Sequence, residues 1–284
     1  MWLINVHTMK LESFQGADVP KYAILSHTWS DHELDFQDMA VGWNLVKIKP
    51  GAKKIEYTCD QAKVDKLQYA WVDTCCINKS SSAELSEAIN SMFRWYKDAT
   101  KCYAFLVDVI KENFDEQFPL SRWFTRGWTL QELIAPAGVI FHDVNWTVLG
   151  SKQELLKQIS EITGIDEDCL EGAELEEISI AKKMSWAAGR TTTRTEDVAY
   201  CLLGLFGVNM PLLYGEDTKA FARLQEEIMK VSNDQSLFAW KMADTSASPD
   251  TALSGLLANS PADFINCRNR DSSTFTTPRH HAIS

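Results

Sequence analysis

Short apolar runs in the first half of the chain alternate with segments whose apolar residues recur at helical spacing. The runs cover residues 2–6, 23–26, 69–73, 102–107 and 139–141, and each is predicted to be a β-strand. Strands that alternate with helices predict an α/β fold, in which a parallel sheet has helices on its faces. Because crossover connections are right-handed, we expect a flavodoxin-like strand order or a close variant of it.

The clearest predicted helix covers residues 83–99. Its apolar side chains recur at i, i+3, i+4 and i+7, which gives one continuous stripe for burial. The stripe consists of Leu85, Ala88, Ile89, Met92, Phe93, Tyr96 and Ala99. Two further helices are predicted over residues 51–68 and from residue 128 onwards.

Helical segments predominate after residue 150. The predicted elements are helices over 151–163, 178–188, 196–206 and 219–231, a solvated acidic loop over 166–177 and a short strand over 237–240. We therefore expect three parts: an α/β domain over residues 1–145, an α-helical extension over 146–243, and a loosely ordered tail or linker over 244–284. The last part is rich in Ser, Asp, Pro, Thr and Asn, which favour turns and irregular structure.

Composition narrows the class of protein mainly by exclusion. The 284 residues are 45% hydrophobic and 24% charged, which is enough for a sizeable core. The net charge of −11 argues against nonspecific binding to nucleic acid or to anionic membranes, since both need clustered Lys and Arg. The sequence has neither a signal-peptide pattern nor a run of about 18 apolar residues, so we expect a cytoplasmic protein without a membrane span.

Seven cysteines are present, and none shows the spacing of a metal site. Most of them lie in apolar segments, which indicates buried free thiols. We therefore expect no metal ion. The nucleotide-binding fingerprints of the P-loop and Rossmann types are absent from the sequence as well.

One acidic residue stands out in the aromatic-rich stretch over residues 121–141. Trp128 and Glu132 are one helical turn apart and therefore lie on the same side of the predicted helix. A carboxylate on an otherwise apolar helix has two interpretations. It forms a structural ion pair, for example with Arg122 or Arg126, or it acts as an acid or base in a cleft.

Polar residues also stand at the ends of two predicted strands. Ser26 and His27 end one strand, with Trp29 just beyond them, and Asp73 ends the next. In open α/β sheets, ligands bind at the carboxyl ends of the parallel strands, so these side chains are candidates for a binding site. Each also has a structural interpretation. His27 and Trp29 can pack within the fold, and Asp73 can cap the turn that follows it.

Several motifs resemble the fungal heterokaryon-incompatibility (HET) domain. They are YAILSHTW at residues 22–29, WVDTCCIN at 71–78, YKDA at 96–99 and GWTLQELIAP at 127–136, and the resemblance extends over roughly residues 1–260. It implies a fungal cytosolic protein that triggers cell death on non-self recognition. It further implies a receptor region, with nucleotide-binding and repeat domains, on the same chain or on a partner chain.

HET domains are in turn similar to TIR domains, and SRWFTRGWTLQEL over residues 121–133 resembles the TIR signature. In that register, Trp128 and Glu132 hold the positions of the aromatic residue and the catalytic glutamate of TIR enzymes that cleave NAD. Thr129 and Gln131 differ from the cysteine and the acid usual at their positions. The resemblance implies a TIR-like sheet, self-association, and hydrolysis of NAD, as a substrate and not a cofactor, to nicotinamide and ADP-ribose products.

On this implication, Glu132 is the catalytic residue. A carboxylate beside the ribose stabilises the oxocarbenium-like centre that forms as the cationic nicotinamide leaves. Ring stacking, ribose contacts and pyrophosphate pairing are assigned to Ser26, His27, Trp29, Asp73, Arg122, Arg126 and Trp128. The alternative is a non-enzymatic signalling module that acts by self-association or by recruiting a partner.

Overall fold

The computed structural model describes residues 1–241 and 255–268 of the chain. The chain divides into two compact units, Met1–Ala173 and Glu174–Ser284. The first unit contains a seven-stranded sheet with its helices, and each unit is described below by itself.

The strands of the first unit are β1 (Trp2–Asn5), β2 (Lys10–Ser13), β3 (Tyr22–His27), β4 (Tyr69–Trp71), β5 (Lys101–Phe105), β6 (Val139–His142) and β7 (Val148–Ser151). They form one sheet in the order β2-β1-β4-β3-β5-β6-β7. The four central strands, β4, β3, β5 and β6, are parallel, but β1, β2 and β7 run antiparallel to their neighbours. The α/β class is therefore confirmed, and the expected parallel sheet is found in the centre but not at the edges, where the strands are antiparallel.

β3 lies among the parallel strands, and all six of its residues are buried. Strands covered on both faces have continuous apolar runs, which is why the sequence YAILSH is apolar almost throughout. In register, Ala23 pairs with Ala70 of β4, and Ser26 pairs with Ala104 of β5. The two polar residues at the end of the strand, Ser26 and His27, are thus carried into the interior.

The helices of the first unit are α1 (Phe36–Val41), α2 (Trp43–Val46), α3 (Ala52–Val64), α4 (Ser82–Asp98), α5 (Phe114–Gln117), α6 (Thr129–Ile134), α7 (Leu156–Thr163) and α8 (Glu167–Leu170). Short 3-10 helices cover Gly16–Asp18, Lys111–Asn113, Phe118–Leu120 and Arg122–Thr125. α4 is the helix that the apolar stripe predicts. It follows the capping residue Ser81, whose hydroxyl accepts a hydrogen bond from the backbone N–H of Glu84.

The connections place these helices on opposite faces of the sheet. α3 connects β3 to β4 and packs on both, whereas α4 connects β4 to β5 on the far side of β3. Because right-handed crossovers that proceed in opposite directions lie on opposite faces, α3 covers one face, and α4 covers the other together with α6. The direction changes at the carboxyl ends of β3 and β5.

Two edge strands were not predicted, and one of them replaces part of a predicted helix. Ser151 ends β7, and α7 begins only at Leu156, so the helix predicted over residues 151–163 is wrong in its first turn. The backbone N–H and the hydroxyl of Ser151 both donate to Oε2 of Glu154 at 2.8 Å, which is a cap-like arrangement within a turn. The sequences of the missed strands, KLES in β2 and VLGS in β7, lack the apolar alternation that predicts a strand.

The second unit consists of helices within residues 174–241 and 255–268. They are α9 (Ile180–Ala187), α10 (Asp197–Tyr200) and α11 (Lys219–Val231), with 3-10 helices at Leu175–Glu177, Gly204–Phe206, Gln235–Phe238 and Pro261–Cys267. α11 has the bounds that the sequence predicts. The helix predicted over 196–206 is instead α10, a turn and a 3-10 helix, and it ends as expected at Gly207, where φ is 64°.

Two other segments in this half of the chain differ from their predictions. Residues 237–240, predicted as a strand, begin within a 3-10 helix, and the acidic segment over 166–177 contains α8 with two buried residues. Of the tail expected over 244–284, residues 255–268 are described and include a 3-10 helix with a buried phenylalanine; the rest lies outside the described residues. Among the helices in the described ranges, none has both the length and the apolarity needed to cross a bilayer.

Lys152, just beyond β7, holds the end of α6. Its Nζ donates to the backbone carbonyls of Leu133 at 3.2 Å and Pro136 at 2.7 Å, and the residue is 4% exposed. Burial lowers the pKa of Lys152 to about 8. The lysine thus supplies hydrogen-bond donors to carbonyls at a helix end, where the helix itself provides none.

We expect Lys152→Met to lower the free energy of unfolding by about 1–3 kcal/mol, because two buried carbonyls lose their donor. Urea denaturation measures the change. Lys157→Met is the matched control, since the Lys157 side chain is 82% exposed and its ion pair with Glu161 spans 4.0 Å. The control should change stability by less than about 0.5 kcal/mol. Equal stability of the two variants would contradict the role assigned to Lys152.

Candidate functional site

Glu132 meets the end of the central strand. Ser26 Oγ donates to Glu132 Oε2 at 2.5 Å, and Trp123 Nε1 donates to Ser26 Oγ at 2.8 Å. Ser26 and Trp123 are fully buried, and Glu132 is 4% exposed. The serine hydroxyl therefore bridges an indole N–H and a carboxylate in the interior, as a group that is both donor and acceptor can do.

Tyr96 and Cys102 lie near this carboxylate on the α4 and α6 face. The Tyr96 hydroxyl donates to the carbonyl of Leu25 at 2.9 Å. Burial raises the pKa of Tyr96, and the negative charge of Glu132 raises it further. The same two causes raise the pKa of the Cys102 thiol. Glu132, Tyr96 and Cys102 therefore share a poorly solvated site.

His27 belongs to a second cluster, on the α3 face. Successive strand residues point to opposite faces, so the side chains of Ser26 and His27 diverge. His27 Nε2 lies 2.9 Å from Asp73 Oδ1, and His27 Nδ1 lies 2.8 Å from Lys54 Nζ. Lys54 in turn donates to Glu33 Oε1 at 2.5 Å. Two sequence candidates, His27 and Asp73, are thus in direct contact, with the sheet between them and Glu132.

Trp29 lies at the solvent end of the second cluster. Its Nε1 donates to Asp73 Oδ2 at 2.7 Å, and Lys79 Nζ lies 3.9 Å from its ring centroid. Burial raises the pKa of Asp73, but the His27 imidazole, the Lys79 ammonium and the hydrogen bond from Trp29 together outweigh that effect and hold the pKa below its ordinary value. Asp73 therefore uses one oxygen for His27 and the other for Trp29, whose residue is 49% exposed.

Burial shifts the two charged groups behind His27 in opposite directions. Burial lowers the pKa of Lys54, although Glu33 raises it. Burial raises the pKa of Glu33, but the neighbouring His27 ring and the charge and hydrogen bond of Lys54 bring that pKa below its ordinary value. Glu33 Oε2 is buried and has no hydrogen-bond partner among the residues that the structure describes.

Arg122 binds the loop that follows β3. Its Nε donates to Thr28 Oγ1 at 2.8 Å, and its Nη2 donates to the carbonyl of Trp29 at 3.2 Å. Its backbone N–H donates to Asp108 Oδ2 at 2.8 Å. The guanidinium of Arg122 therefore contacts residues 28–29. An ion pair between Arg122 and Glu132 would require a contact with Glu132 instead.

Arg126 and Trp128 directly precede α6, and both are half-buried. Thr129 Oγ1 donates to the carbonyls of Trp123 at 2.5 Å and Arg126 at 2.9 Å, which fixes the turn before the helix. The indole bonded to Ser26 is that of Trp123, and not that of Trp128. Trp123 lies in the same aromatic stretch of the sequence, which indicated it as a candidate. It was not singled out because, unlike Trp128, it is not one helical turn from Glu132.

Lys54 and Glu33 were missed altogether. They gave no sequence signal, because lysine and glutamate are normally exposed and nothing in a helical stripe marks a charged residue as buried.

Elsewhere, a cavity of about 1130 Å³ lies between the β1–β2 hairpin and α4, lined by Trp2, Phe14 and Trp95 among others, and it does not include either cluster. Among the described residues, no group of three His, Cys, Asp or Glu side chains could hold a metal ion.

Comparison with known proteins gives matches to both halves of the chain. Residues 22–115 match the family model of the heterokaryon incompatibility protein (HET), and residues 219–281 match a domain of unknown function, DUF8212. The vegetative incompatibility protein HET-E-1 of Podospora anserina is 47% identical over 223 residues, which are 75% of this chain and 16% of that protein. No solved structure matches the chain. The second cluster lies within the first match, whereas Glu132 lies beyond it.

The lowered pKa of Asp73 predicts a pH-dependent contribution to stability. Because the folded pKa lies below the ordinary value of 3.8, ionised Asp73 stabilises the fold above that pH. The contribution is lost as the pH falls through the folded pKa. At neutral pH, we expect the free energy of unfolding of the wild type to be larger than that of Asp73→Asn by about 1–3 kcal/mol. We expect this difference in stability to become smaller below pH 3.8.

Denaturant titrations at a series of pH values measure this difference. Asp60→Asn is the control, since the Asp60 side chain is 62% exposed in its pair with Lys63 and should give almost no difference at any pH. A difference between the wild type and Asp73→Asn that stays constant as the pH falls through the acid range would show that the charge of Asp73 does not stabilise the fold.

Proposed function

Residues 22–115 belong to the heterokaryon-incompatibility (HET) family, and from that premise we propose that this chain is a cytoplasmic cell-death effector of non-self recognition that hydrolyses NAD. The products are nicotinamide and ADP-ribose species. The chain corresponds to 16% of the length of the Podospora relative. We therefore include in the proposal a receptor region, with nucleotide-binding and repeat domains on the same or a partner chain, that controls the effector through self-association.

The contact between Ser26 and Glu132 is the observation that carries this proposal. It joins two polar side chains 106 residues apart at 2.5 Å. Numbered along the chain, the four parallel strands lie in the order second, first, third, fourth. In flavodoxin-like sheets of this order, ligands bind at the carboxyl ends of the strands where the order reverses. That point is the end of β3 and β5, where Ser26 lies.

Glu132 has the chemistry that cleavage of the N-glycosidic bond requires. The bond between ribose C1′ and the nicotinamide nitrogen breaks, and its electron pair neutralises the cationic ring. The positive charge left on the ribose is then captured by water, which releases a proton. A carboxylate in a poorly solvated site stabilises such a charge far more than one in water. In this proposal, a ribose hydroxyl replaces Ser26 as the donor to Glu132.

The residues at the edge of the sheet support the binding of a dinucleotide. Trp29 offers a half-exposed indole for a flat ring. Arg122, exposed beside it, has a guanidinium suited to the pyrophosphate. Asp73 fixes the orientation of the Trp29 indole by accepting a hydrogen bond from its Nε1. Arg126 and Trp128 are half-buried just before α6, the helix that contains Glu132, and are the candidates for the same two roles on that side of the sheet.

The burial of Glu132 sets a condition on this function and favours a second one. Because the residue is 4% exposed, a ribose reaches the carboxylate only after neighbouring side chains move. If they do not move, Glu132 is a structural acceptor that ties α6 to β3. The chain then acts as a signalling module by self-association or by recruiting a partner, and NAD is not consumed.

The loss of NAD separates the two functions. We expect the purified wild type, assayed as a monomer and fused to an oligomerising tag, to consume NAD in at least one state. Glu132→Gln should reduce the rate by at least about 100-fold, because the charge is lost while an oxygen remains to accept from Ser26. Chromatography of nicotinamide and ADP-ribose gives the rates. Glu161→Gln, with a side chain 68% exposed on α7, is the matched control and should leave the rate unchanged.

Each result decides one point. A wild type that leaves NAD intact in both states overturns hydrolysis and supports the signalling module. A wild type that consumes NAD at the same rate as Glu132→Gln keeps hydrolysis but overturns the role of Glu132. Thermal unfolding of each variant shows whether a lost rate reflects a lost fold.

A further inference from the structure

Five side chains form a continuous row of hydrogen bonds on the α3 face of the sheet: Glu33, Lys54, His27, Asp73 and Trp29. Lys54 Nζ lies 2.5 Å from Glu33 Oε1 and 2.8 Å from His27 Nδ1. His27 Nε2 lies 2.9 Å from Asp73 Oδ1, and Trp29 Nε1 donates to Asp73 Oδ2 at 2.7 Å. Within the row, Lys54 is 7% exposed, and Trp29 at one end is 49% exposed. It connects a buried charge to an aromatic ring at the surface.

The lysine decides which nitrogen of His27 carries the hydrogen. An ammonium group has three donors and no acceptor, so Nδ1 of His27 must accept from Lys54. The hydrogen of the ring is therefore on Nε2, where it is donated to Asp73. A doubly protonated ring would direct an N–H group at the ammonium across the same 2.8 Å.

The hydrogen between Lys54 Nζ and His27 Nδ1 is bonded to the lysine nitrogen for two reasons. The unperturbed pKa of lysine is about 10.4, against about 6.5 for histidine. The Glu33 carboxylate, 2.5 Å away, also stabilises the ammonium directly. Burial opposes a charge on the lysine, but it opposes an imidazolium at the neighbouring position as well.

We propose that Lys54 is a positioning residue, which locks His27 as the neutral Nε2–H tautomer and thereby fixes Asp73 and the orientation of the Trp29 indole. Lysine is almost never buried without a partner. Here the partners are a carboxylate and an imidazole, and the chain of bonds ends on an exposed ring. Replacement of Lys54 therefore changes the surface at Trp29, although the two residues do not touch.

Two further cations hold the same tryptophan. Lys79 Nζ lies 3.9 Å from the ring centroid of Trp29, and Arg122 Nη2 donates to the carbonyl of Trp29 at 3.2 Å. A ring fixed in this way is a preorganised platform for a planar ring that carries negative charge beside it. This step rests on the proposed function, and it assigns a ring of NAD to Trp29.

The tautomer of His27 is measured on the wild type by long-range ¹H–¹⁵N spectra, with the signals assigned through His27→Gln. We expect the pattern of a neutral ring with hydrogen on Nε2 at neutral pH. A pattern with hydrogen on Nδ1, or on both nitrogens, overturns the proposal. This measurement needs neither a variant of Lys54 nor any activity.

The link to the surface is tested by the exchange of the Trp29 indole N–H with water, assigned through Trp29→Phe. Lys54→Met should accelerate the exchange by about tenfold, since the acceptor Asp73 is no longer held. Lys53→Met is the matched control, because Lys53 is exposed on the same helix. Equal exchange in the two variants overturns the proposal. If Lys54→Met does not fold, Lys54→Gln replaces it, and the tautomer of the wild type remains decisive.

The assignment of NAD to Trp29 has its own outcome. If the wild type consumes NAD, Lys54→Met should raise KM by about tenfold with a smaller change in kcat, as expected when a binding platform loses its orientation. An unchanged KM overturns the assignment of the ring. If the wild type does not consume NAD, the proposed function fails, and the tautomer and exchange results still decide the role of Lys54.

Discussion

The end of β3 imposes the constraint on which the site depends. The strand is buried on both faces, yet its last two residues, Ser26 and His27, are polar. A buried polar group without a hydrogen bond costs more than the bond itself contributes, so both residues require partners. Ser26 is satisfied by Glu132 and Trp123, and His27 by charged groups on the other face. The segments that supply these partners are therefore drawn to one edge of the sheet.

Strand geometry divides these partners into two clusters. Because adjacent side chains point to opposite faces, the carboxylate of Glu132 and that of Asp73 are separated by the backbone of β3. The loop after the strand joins the two sides, and Arg122 fixes this loop. The backbone N–H of Arg122 donates to Asp108, and its guanidinium donates to Thr28 in the loop. A ligand that contacts both carboxylates must therefore extend over the edge of the sheet.

Buried elements could be predicted from the sequence where their burial follows from a pattern of apolar residues. They could not be predicted where burial depends on pairing with residues from elsewhere in the chain. The strand that ends in Ser26 and the helix that carries Tyr96 were predictable, because continuous apolar runs and a helical stripe have few other interpretations. The mixed edges of the sheet were not, because short polar strands depend on their neighbours for pairing. The same limit applies to the site. Glu132 could be singled out as a charge among aromatic residues, but Lys54 is buried only because Glu33 and His27 come from elsewhere in the chain to meet it.

The bond between Ser26 and Glu132 is the kind of bond that an NAD substrate would have to replace. A ribose hydroxyl is an O–H donor like that of serine, so the exchange of one for the other leaves the hydrogen-bond count of the carboxylate unchanged. The energetic difference arises when positive charge develops on the ribose, because the serine provides no such charge. Glu132 can therefore be a stable structural acceptor in the resting fold and a stronger partner in the transition state. Its burial and its proposed catalytic role are compatible on this ground, provided that the side chains around it can open.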